Sequence, residues 1–319
     1  MPKPQVHCAL DLKTHVGECP IWSRTTGTLF FIDIRAPAIY AYNPADGTQL
    51  SWPMPRTIGS MALVEGSYLL VALDNGCFIF DPTCGLFAPF SRPEAPRAGN
   101  RLNDGRCDRA GRFWVGSMGQ SGSLATKLDV LPPPSGELYC VTSDGSAASR
   151  VDGLRVSNGL AFSPDDRTLY LSDSHPAVRT IWAFDFDLDD GALRNRRVFV
   201  DMHAHPGRPD GAAVDADGCY WTAAAEGWCL LRFTPAGRLD RRIEVPVARP
   251  SMPAFGGDDL QTLYFTSIRA TETDLDRQPQ AGGLFRIDGL GVTGMVEPAF
   301  HIDMNITLRW QLAEDIARE

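Results

Sequence analysis

Short apolar runs separated by polar turns recur six times along the chain. Each unit starts with a strand of small and apolar residues and continues, after a turn rich in Gly, Asp and Pro, into a strand of aromatic and β-branched residues. A third apolar strand often follows, as in Ile39–Tyr42 and Cys77–Phe80. The six second strands are Leu29–Ile34, Tyr68–Leu73, Phe113–Met118, Leu169–Ser174, Tyr220–Ala224 and Leu263–Ser267.

The first strands of the six units begin at equivalent positions, and successive starts lie 42 to 55 residues apart. Those starting positions are Glu18, Ser60, Asn103, Asn158, Asp210 and Pro253. Such a period is typical of a propeller blade of four strands. We therefore predict an all-β, six-bladed β-propeller, with the strand-like segment Val6–Leu12 pairing with the last blade to close the ring.

The predicted propeller is a single domain over residues 1–319, allowing a short C-terminal extension from about residue 305. Two longer intervals between units locate insertions around residues 119–135 and 201–208. Insertions between regular elements emerge on the surface, so we expect both near a mouth of the channel. The tail from Thr307 has a weakly helical pattern.

Composition and charge limit the ligands, partners and cellular compartment to be expected. With 39 acidic and 30 basic residues, the net charge of -9 disfavours nucleic acid and anionic membranes as partners and favours neutral or cationic small ligands. The eight cysteines form no Cys-x-x-Cys pair, and several lie in apolar strand patterns, as expected of reduced thiols. Neither a signal-peptide pattern nor an apolar run of membrane-spanning length is present. We expect a cytoplasmic protein, and no protein partner is assigned.

Four of the six strand starts carry oxygen ligands. Innermost strands of a propeller face the central channel, so these residues would meet at one mouth and form a site for a hard cation. We predict Glu18, Asn158 and Asp210 as metal ligands, with Asn103 either a further ligand or a group that binds water and substrate. The alternative is that Asn and Asp before Gly only shape turns.

Arg101 lies two residues before Asn103, so on an alternating strand the two side chains share a face. Its guanidinium could hydrogen-bond substrate oxygens or form a surface ion pair. His203 and His205, on the second insertion, are interpreted as solvated loop residues. The chain has neither a Gly-x-Ser-x-Gly elbow nor a phosphate-binding Gly-x-x-x-x-Gly-Lys-Ser/Thr loop.

These segments together resemble the regucalcin and gluconolactonase family of six-bladed propellers, from about Val16 to Arg269. The resemblance is carried by residues 17–22 (GECPIW), 101–106 (RLNDGR), 157–165 (SNGLAFSPD), 209–215 (PDGAAVD) and 255–257 (FGG). It implies hydrolysis of a sugar lactone to the aldonic acid, in carbohydrate catabolism, with one divalent cation. The cation could be calcium, zinc, manganese, magnesium or ferrous iron.

The same resemblance implies roles for individual residues. Glu18, Asn158 and Asp210 match the family's metal ligands, and Arg101 and Asn103 match its substrate contacts. Asp210, as ligand and nearby base, is the candidate to assist proton removal from the attacking water.

One difference from the family pattern bears on which substrate is bound. Where the regucalcin branch carries an acidic residue, this chain has neutral Gln120 and Ser121 after Gly116–Gly119. The pattern is closer to bacterial sugar lactonases such as arabinolactonase or xylonolactonase. Two other functions remain open: hydrolysis of phosphotriesters or aryl esters on the same metal site, and a calcium-binding or interaction propeller without turnover.

Overall fold

The computed structural model describes residues 4–95, 97, 99–119, 133–269, 275–303 and 305–318. Within them the chain forms six four-stranded antiparallel sheets. Gln120 and Ser121, and most of the first predicted insertion, lie outside the described residues. The predicted all-β, six-bladed propeller is confirmed.

The first three blades follow one another along the chain, each as a meander of adjacent strands. The chain starts with β1 (Gln5–Leu10), which belongs to the last blade. Blade 1 contains β2 (Gly17–Ser23), β3 (Thr28–Asp33), β4 (Ala38–Tyr42) and β5 (Gln49–Pro53). Blade 2 contains β6 (Ile58–Leu63), β7 (Leu69–Leu73), β8 (Gly76–Asp81) and β9 (Leu86–Ser91). Blade 3 contains β10 (Asn100–Cys107), β11 (Phe113–Gly119), β12 (Gly136–Val141) and β13 (Ala147–Leu154).

The remaining blades repeat this order until the ring closes. Blade 4 contains β14 (Ser157–Phe162), β15 (Thr168–Asp173), β16 (Thr180–Phe186) and β17 (Leu193–Asp201), followed by a 3-10 turn at Met202–Ala204. Blade 5 contains β18 (Arg208–Val214), β19 (Tyr220–Ala225), β20 (Cys229–Phe233) and β21 (Leu239–Glu244). Blade 6 contains β22 (Pro250–Gly256), β23 (Thr262–Ser267), β24 (Leu284–Asp288) and, as its outer strand, β1.

The first strand of each blade is the innermost one. Each of these strands, β2, β6, β10, β14, β18 and β22, contacts the corresponding strand of the next blade, and β22 returns to β2. The N-terminal strand β1 pairs antiparallel with β24, with Val6 opposite Ile287, so the predicted closure by the N-terminal segment is confirmed. Blade 6 therefore takes its outermost strand from the N-terminal segment and its other three strands from the end of the chain, and this pairing closes the ring.

The hydrophobic core consists of six clusters, and each fills the space between two neighbouring blades. Strand β7 has a continuous apolar sequence because both of its faces are buried. Leu69, Val71 and Leu73 pack against blade 1, whereas Leu70 and Ala72 pack against blade 3. A strand buried on both faces has no polar alternation, because both sets of side chains leave water.

The chain after β24 covers one end of the channel. Gly294 pairs with Asp215 of blade 5, Phe300 pairs with Val64 of blade 2, and Glu297 forms an ion pair of 3.0 Å with Arg106 of blade 3. The segment ends in α1 (Ala313–Arg318), whose Ile316 is buried in the core between blades 1 and 2. Within the described residues no helix is long and apolar enough to cross a membrane. The opposite mouth of the channel carries the candidate site.

Candidate active site

The inner strands are interrupted by β-bulges near the channel mouth. The antiparallel register shifts between Glu18 and Ile21 of β2, and corresponding shifts begin after Leu102, Asn158 and Pro209 in blades 3, 4 and 5. A bulge bends its strand and redirects side chains that would otherwise follow the regular alternation. The four oxygen-bearing side chains predicted from the repeat all lie at these bulges and all are buried: Glu18, Asn103, Asn158 and Asp210.

Two buried carboxylates hold the segments that lead into the site. Asp33, at the end of β3, accepts hydrogen bonds from the backbone N–H groups of His15 (2.7 Å) and Val16 (3.1 Å). Asp173, at the end of β15, accepts the equivalent pair from Arg155 (2.7 Å) and Val156 (3.1 Å). Both segments reach a site residue two positions later, so these carboxylates fix the entry of Glu18 and Asn158 into the channel.

A chain of hydrogen bonds links four of the predicted residues. Arg101 Nη1 donates to Asn103 Oδ1 at 2.8 Å, and Asn103 Nδ2 donates to Ser157 O at 2.8 Å and more weakly to Asn158 Oδ1 at 3.4 Å. Asn158 Nδ2 donates to Asp210 Oδ1 at 2.8 Å. The side chains are therefore oriented by one another before any ligand arrives.

The amide of Asn158 has a defined orientation. Its nitrogen also donates to Ser174 Oγ at 2.8 Å, so both N–H groups are used, and its oxygen accepts the long contact of 3.4 Å from Asn103 Nδ2. By contrast, the oxygen of Asn103 already accepts from Arg101. Asn158 is thus the better placed of the two amides to offer oxygen to a cation.

The pocket destabilises the ionised forms of its own two carboxyl groups, those of Glu18 and Asp210. Burial, helped by the nearby carboxylates of Asp210 and Asp104, raises the pKa of Glu18 well above its ordinary value. Burial also raises the pKa of Asp210 to about 7, with Asp104 adding to the effect and Arg208 opposing it. A cation placed between the carboxylates would remove this penalty, because an opposite charge favours the ionised form.

Asp104 lies deeper in the channel and braces it. Its Oδ2 accepts a hydrogen bond of 2.9 Å from the backbone N–H of Leu160, which joins the bulges of blades 3 and 4. Burial raises the pKa of Asp104 to about 6. Asp104 therefore joins the innermost strands β10 and β14 beneath the site.

The donor set is compatible with a divalent metal ion that prefers oxygen. Among the residues that the structure describes, no three His, Cys, Asp or Glu side chains form a metal-type cluster. The candidate set is of another kind, since it combines the carboxylates of Glu18 and Asp210 with the amide oxygen of Asn158. Oxygen-only sets of this composition suit calcium, magnesium or manganese, which also keep positions for water.

These side chains line one pocket of about 220 Å³. All five residues predicted to bind metal or substrate contribute to its wall: Glu18, Arg101, Asn103, Asn158 and Asp210. Burial lowers the pKa of Arg101 to about 10. Its guanidinium donates hydrogen bonds to Leu102 O and Asn103 Oδ1, and among the described residues it forms no ion pair.

The other candidates lie elsewhere. His203 is exposed and contacts Asp201 at 2.8 Å, while the ring of His205 packs edge-on against Phe233. Neither histidine lines the pocket. Ser60 does not line it either, since its buried hydroxyl donates to the backbone carbonyl of Asn103 at 2.7 Å.

Sequence reasoning missed several contributors. Ser174 orients Asn158, and Asp33 and Asp173 hold the incoming segments. The aspartates stand at equivalent ends of second strands, so a comparison of those ends could have identified them. Arg208, which also lines the pocket, is the last residue of the second insertion, and its local sequence does not indicate that it reaches the site.

A six-bladed propeller with a buried, carboxylate-bearing pocket at one channel mouth defines the class of this protein. The chain belongs to the SMP-30/gluconolactonase/LRE-like family, whose sequence model matches residues 16–269. The resemblance deduced from the motifs is confirmed, with the same limits.

Two curated relatives cover nearly the whole chain. The 6-deoxy-6-sulfogluconolactonase of Pseudomonas putida is 35% identical over 92% of this chain and 97% of its own length. Regucalcin of Xenopus laevis is 31% identical over 94% of this chain and 99% of its own length.

Solved structures agree with the fold at full length. A calcium-binding protein, regucalcin, from Agrobacterium tumefaciens superimposes with a TM-score of 0.85 at 28% identity, covering 92% of this chain and 97% of its own. A luciferin-regenerating enzyme superimposes with a TM-score of 0.84 at 27% identity, covering 94% of this chain and all of its own. The family and the architecture therefore rest on both sequence and structure.

Proposed function

We propose that the protein is a metal-dependent lactonase that hydrolyses a sugar aldonolactone to the aldonic acid in carbohydrate catabolism. The observation that carries the proposal is the convergence of Glu18, Asn158 and Asp210 in one pocket, where both carboxylates are destabilised in their charged form. Relatives named as a sulfogluconolactonase and as a calcium-binding regucalcin support a lactone substrate and a divalent ion.

In this proposal Glu18, Asn158 and Asp210 hold one divalent cation, with calcium, magnesium and manganese favoured by the oxygen ligands and zinc or ferrous iron as alternatives. A bound cation would polarise the lactone carbonyl and stabilise the charge that develops on it. Asp210 also acts as the base that takes a proton from the attacking water, since one carboxylate oxygen is free of the hydrogen bond from Asn158.

Arg101 and Asn103 bind the substrate. Arg101 is held in place by its bond to Asn103, and its remaining N–H groups are available to sugar oxygens on the pocket side. A guanidinium positioned in advance loses little freedom when the substrate binds, so it orients the lactone at low entropic cost.

The test is acid release from γ- and δ-aldonolactones, measured by pH-stat, before and after chelation and with each divalent metal restored. Asp210→Asn is expected to lower kcat by about a hundredfold to a thousandfold, the range lost when a charge-stabilising group is removed from a site. Asp258→Asn changes an exposed carboxylate on a distant turn and serves as the matched control. Full turnover in chelator together with full turnover of Asp210→Asn would refute the proposal.

The same assay separates the other functions. Faster turnover of aryl esters or phosphotriesters than of every lactone would favour an esterase on this pocket. Calcium binding by titration without hydrolysis of any substrate would favour a binding module, like the calcium-binding regucalcin of Agrobacterium tumefaciens.

We also propose that the protein functions in the cytoplasm. All eight cysteines are free thiols, and six of them are buried. Free thiols persist in reducing compartments and are otherwise prone to oxidation.

A further inference from the structure

The mouth of the pocket is strongly basic. Five arginines line it, here called the arginine arc: Arg35, Arg101, Arg208, Arg249 and Arg269. Among the described lining residues, the carboxylates are Glu18 and Asp210. The whole chain carries a net charge of -9, so this local excess of positive charge runs against the balance of the molecule.

Backbone pairing sets the arc above the proposed metal ligands. Ile34 N donates to Val16 O at 3.0 Å, and Val16 also bridges to Ile268 on its other side. Arg35 follows Ile34, and Arg269 follows Ile268. These two arginines therefore lie on either side of Val16, two residues before Glu18. Arg269 N itself donates to His15 O at 3.2 Å.

The arc continues around the mouth into blades 6 and 5. Ile268 N donates to Arg249 O at 2.9 Å, which places Arg249 beside Arg269 along the rim. Arg249 and Arg208 both contact one carboxylate, that of Glu226, at 3.3 Å. A single exposed carboxylate thus compensates two arginines.

Among the described residues, no carboxylate lies in ion-pair contact with the other members of the arc. Arg101 donates to neutral oxygens of Leu102 and Asn103. Within the described part of the chain, Arg35 and Arg269 take part in no ion pair. Like charges gathered at one mouth repel one another, and such an arrangement is stabilised when an anion binds between them.

We propose that the arginine arc binds an anionic group of the substrate, so that the preferred lactone carries a sulfonate, phosphate or carboxylate on its carbon chain away from the ring carbonyl. This inference rests on the proposed lactonase function. Planar guanidinium groups bind such oxyanions through paired N–H donors. With the anion held by blades 6 and 1, the carbonyl of the same molecule is directed towards Glu18, Asn158 and Asp210.

The experiment compares δ-gluconolactone with three derivatives that bear phosphate, sulfonate or carboxylate at C6. For the wild-type protein, kcat/KM is expected to be at least about tenfold higher for one derivative than for the neutral lactone, the effect of one charge-assisted contact. The Arg35→Gln/Arg269→Gln double variant is expected to lose most of that preference, with less than about a threefold loss on the neutral lactone. The identity of the derivative most affected distinguishes the three anions.

Two controls separate local recognition from general attraction. Arg238→Gln removes the same charge from an exposed turn outside the pocket and is expected to leave both substrates unaffected. Raising the salt concentration should reduce the preference, because charges near the surface are screened over about 8 Å at physiological ionic strength.

The result that would refute the anion site differs from the result that would refute the lactonase proposal. Equal rates on neutral and anionic lactones, unaltered in the double variant, would overturn the anion site and leave the lactonase standing. If no lactone is hydrolysed, calorimetry with 6-phosphogluconate, a C6 sulfonate of gluconate, glucarate and gluconate gives the answer. The arc is supported if an acid with a second anionic group binds more tightly than gluconate and loses this advantage in the double variant. Equal binding of all four acids overturns it.

Discussion

Replacing Asp210 by Asn should stabilise the metal-free protein while abolishing its activity. The carboxylate is buried, and burial raises its pKa to about 7, well above the ordinary value of an aspartate. Asparagine has nearly the same shape and retains an oxygen that can accept the hydrogen bond from Asn158 Nδ2. The substitution therefore removes the charge with little change in packing.

The magnitude follows from the difference between the two pKa values. The rise of the pKa of Asp210 from its ordinary value to about 7 corresponds to a cost on the order of 4 kcal/mol for the ionised form in the folded state. Because the folded pKa of Asp210 is raised, its protonated form stabilises the fold fully below about pH 4, and this contribution is lost as pH rises towards about 7. Above that range the metal-free wild-type protein carries the full cost and Asp210→Asn does not.

Urea denaturation in chelator, repeated from about pH 4 to about pH 8, measures the effect. The free energy of unfolding of Asp210→Asn should exceed that of the wild type at the upper end of the range and converge with it at the lower end. Added calcium should stabilise the wild type and have little effect on the variant, since binding to the native state alone raises stability. A variant no more stable than the wild type at about pH 8 would refute the electrostatic reasoning. Asp258→Asn should give the same profile as the wild type.

Three further predictions concern the support of the site. Asp33→Ala leaves the backbone N–H of His15 and its neighbours without an acceptor, so stability should fall by about 2–3 kcal/mol and calcium affinity should fall with it; unchanged affinity by calorimetry would contradict this. Gly159→Ala, at φ +58°, places a Cβ 2.4 Å from Tyr220 Oη, and thermal denaturation should show a loss of about 2 kcal/mol or more, whereas wild-type stability would disprove the clash. Calcium affinity should fall roughly tenfold per pH unit below about pH 7 as Asp210 takes up a proton, and a flat pH profile by calorimetry would count against its role as ligand.

The sequence predicted the fold well because the repeated strands are buried and therefore apolar, so the repeat can be recognised from residue type. Strand β7 is apolar throughout since both of its faces pack against neighbouring blades, and the same pattern recurs at a nearly constant spacing. The limits of the blades were harder to place. The sequence predicted closure from Val6 to Leu12, whereas β1 spans Gln5–Leu10, because strand ends depend on pairing with β24 and not on local residue type.

The candidate site was predictable where residues occupy equivalent positions in the repeat. Glu18, Asn158 and Asp210 could be grouped because a ring brings equivalent strand ends together. The arginine arc could not be predicted, since Arg35 and Arg269 lie far apart in sequence and reach the same pocket through the pairing of Val16 with Ile34 and Ile268. For the same reason the net charge, which favours neutral or cationic ligands, gave no indication of a basic mouth.

The six blades are not equivalent at the site, and this asymmetry gives the pocket a direction. The bulges of blades 1, 3, 4 and 5 place oxygen-bearing side chains in the pocket wall, whereas the hydroxyl of Ser60 in blade 2 donates to the backbone carbonyl of Asn103. The arc, in turn, is concentrated on blades 5, 6 and 1. A ligand with an electrophilic carbonyl at one end and an anion at the other can satisfy both regions in a single orientation. A closed ring of repeats can therefore select both the reacting bond and the substrate that presents it, because each blade contributes a different side chain at an equivalent position.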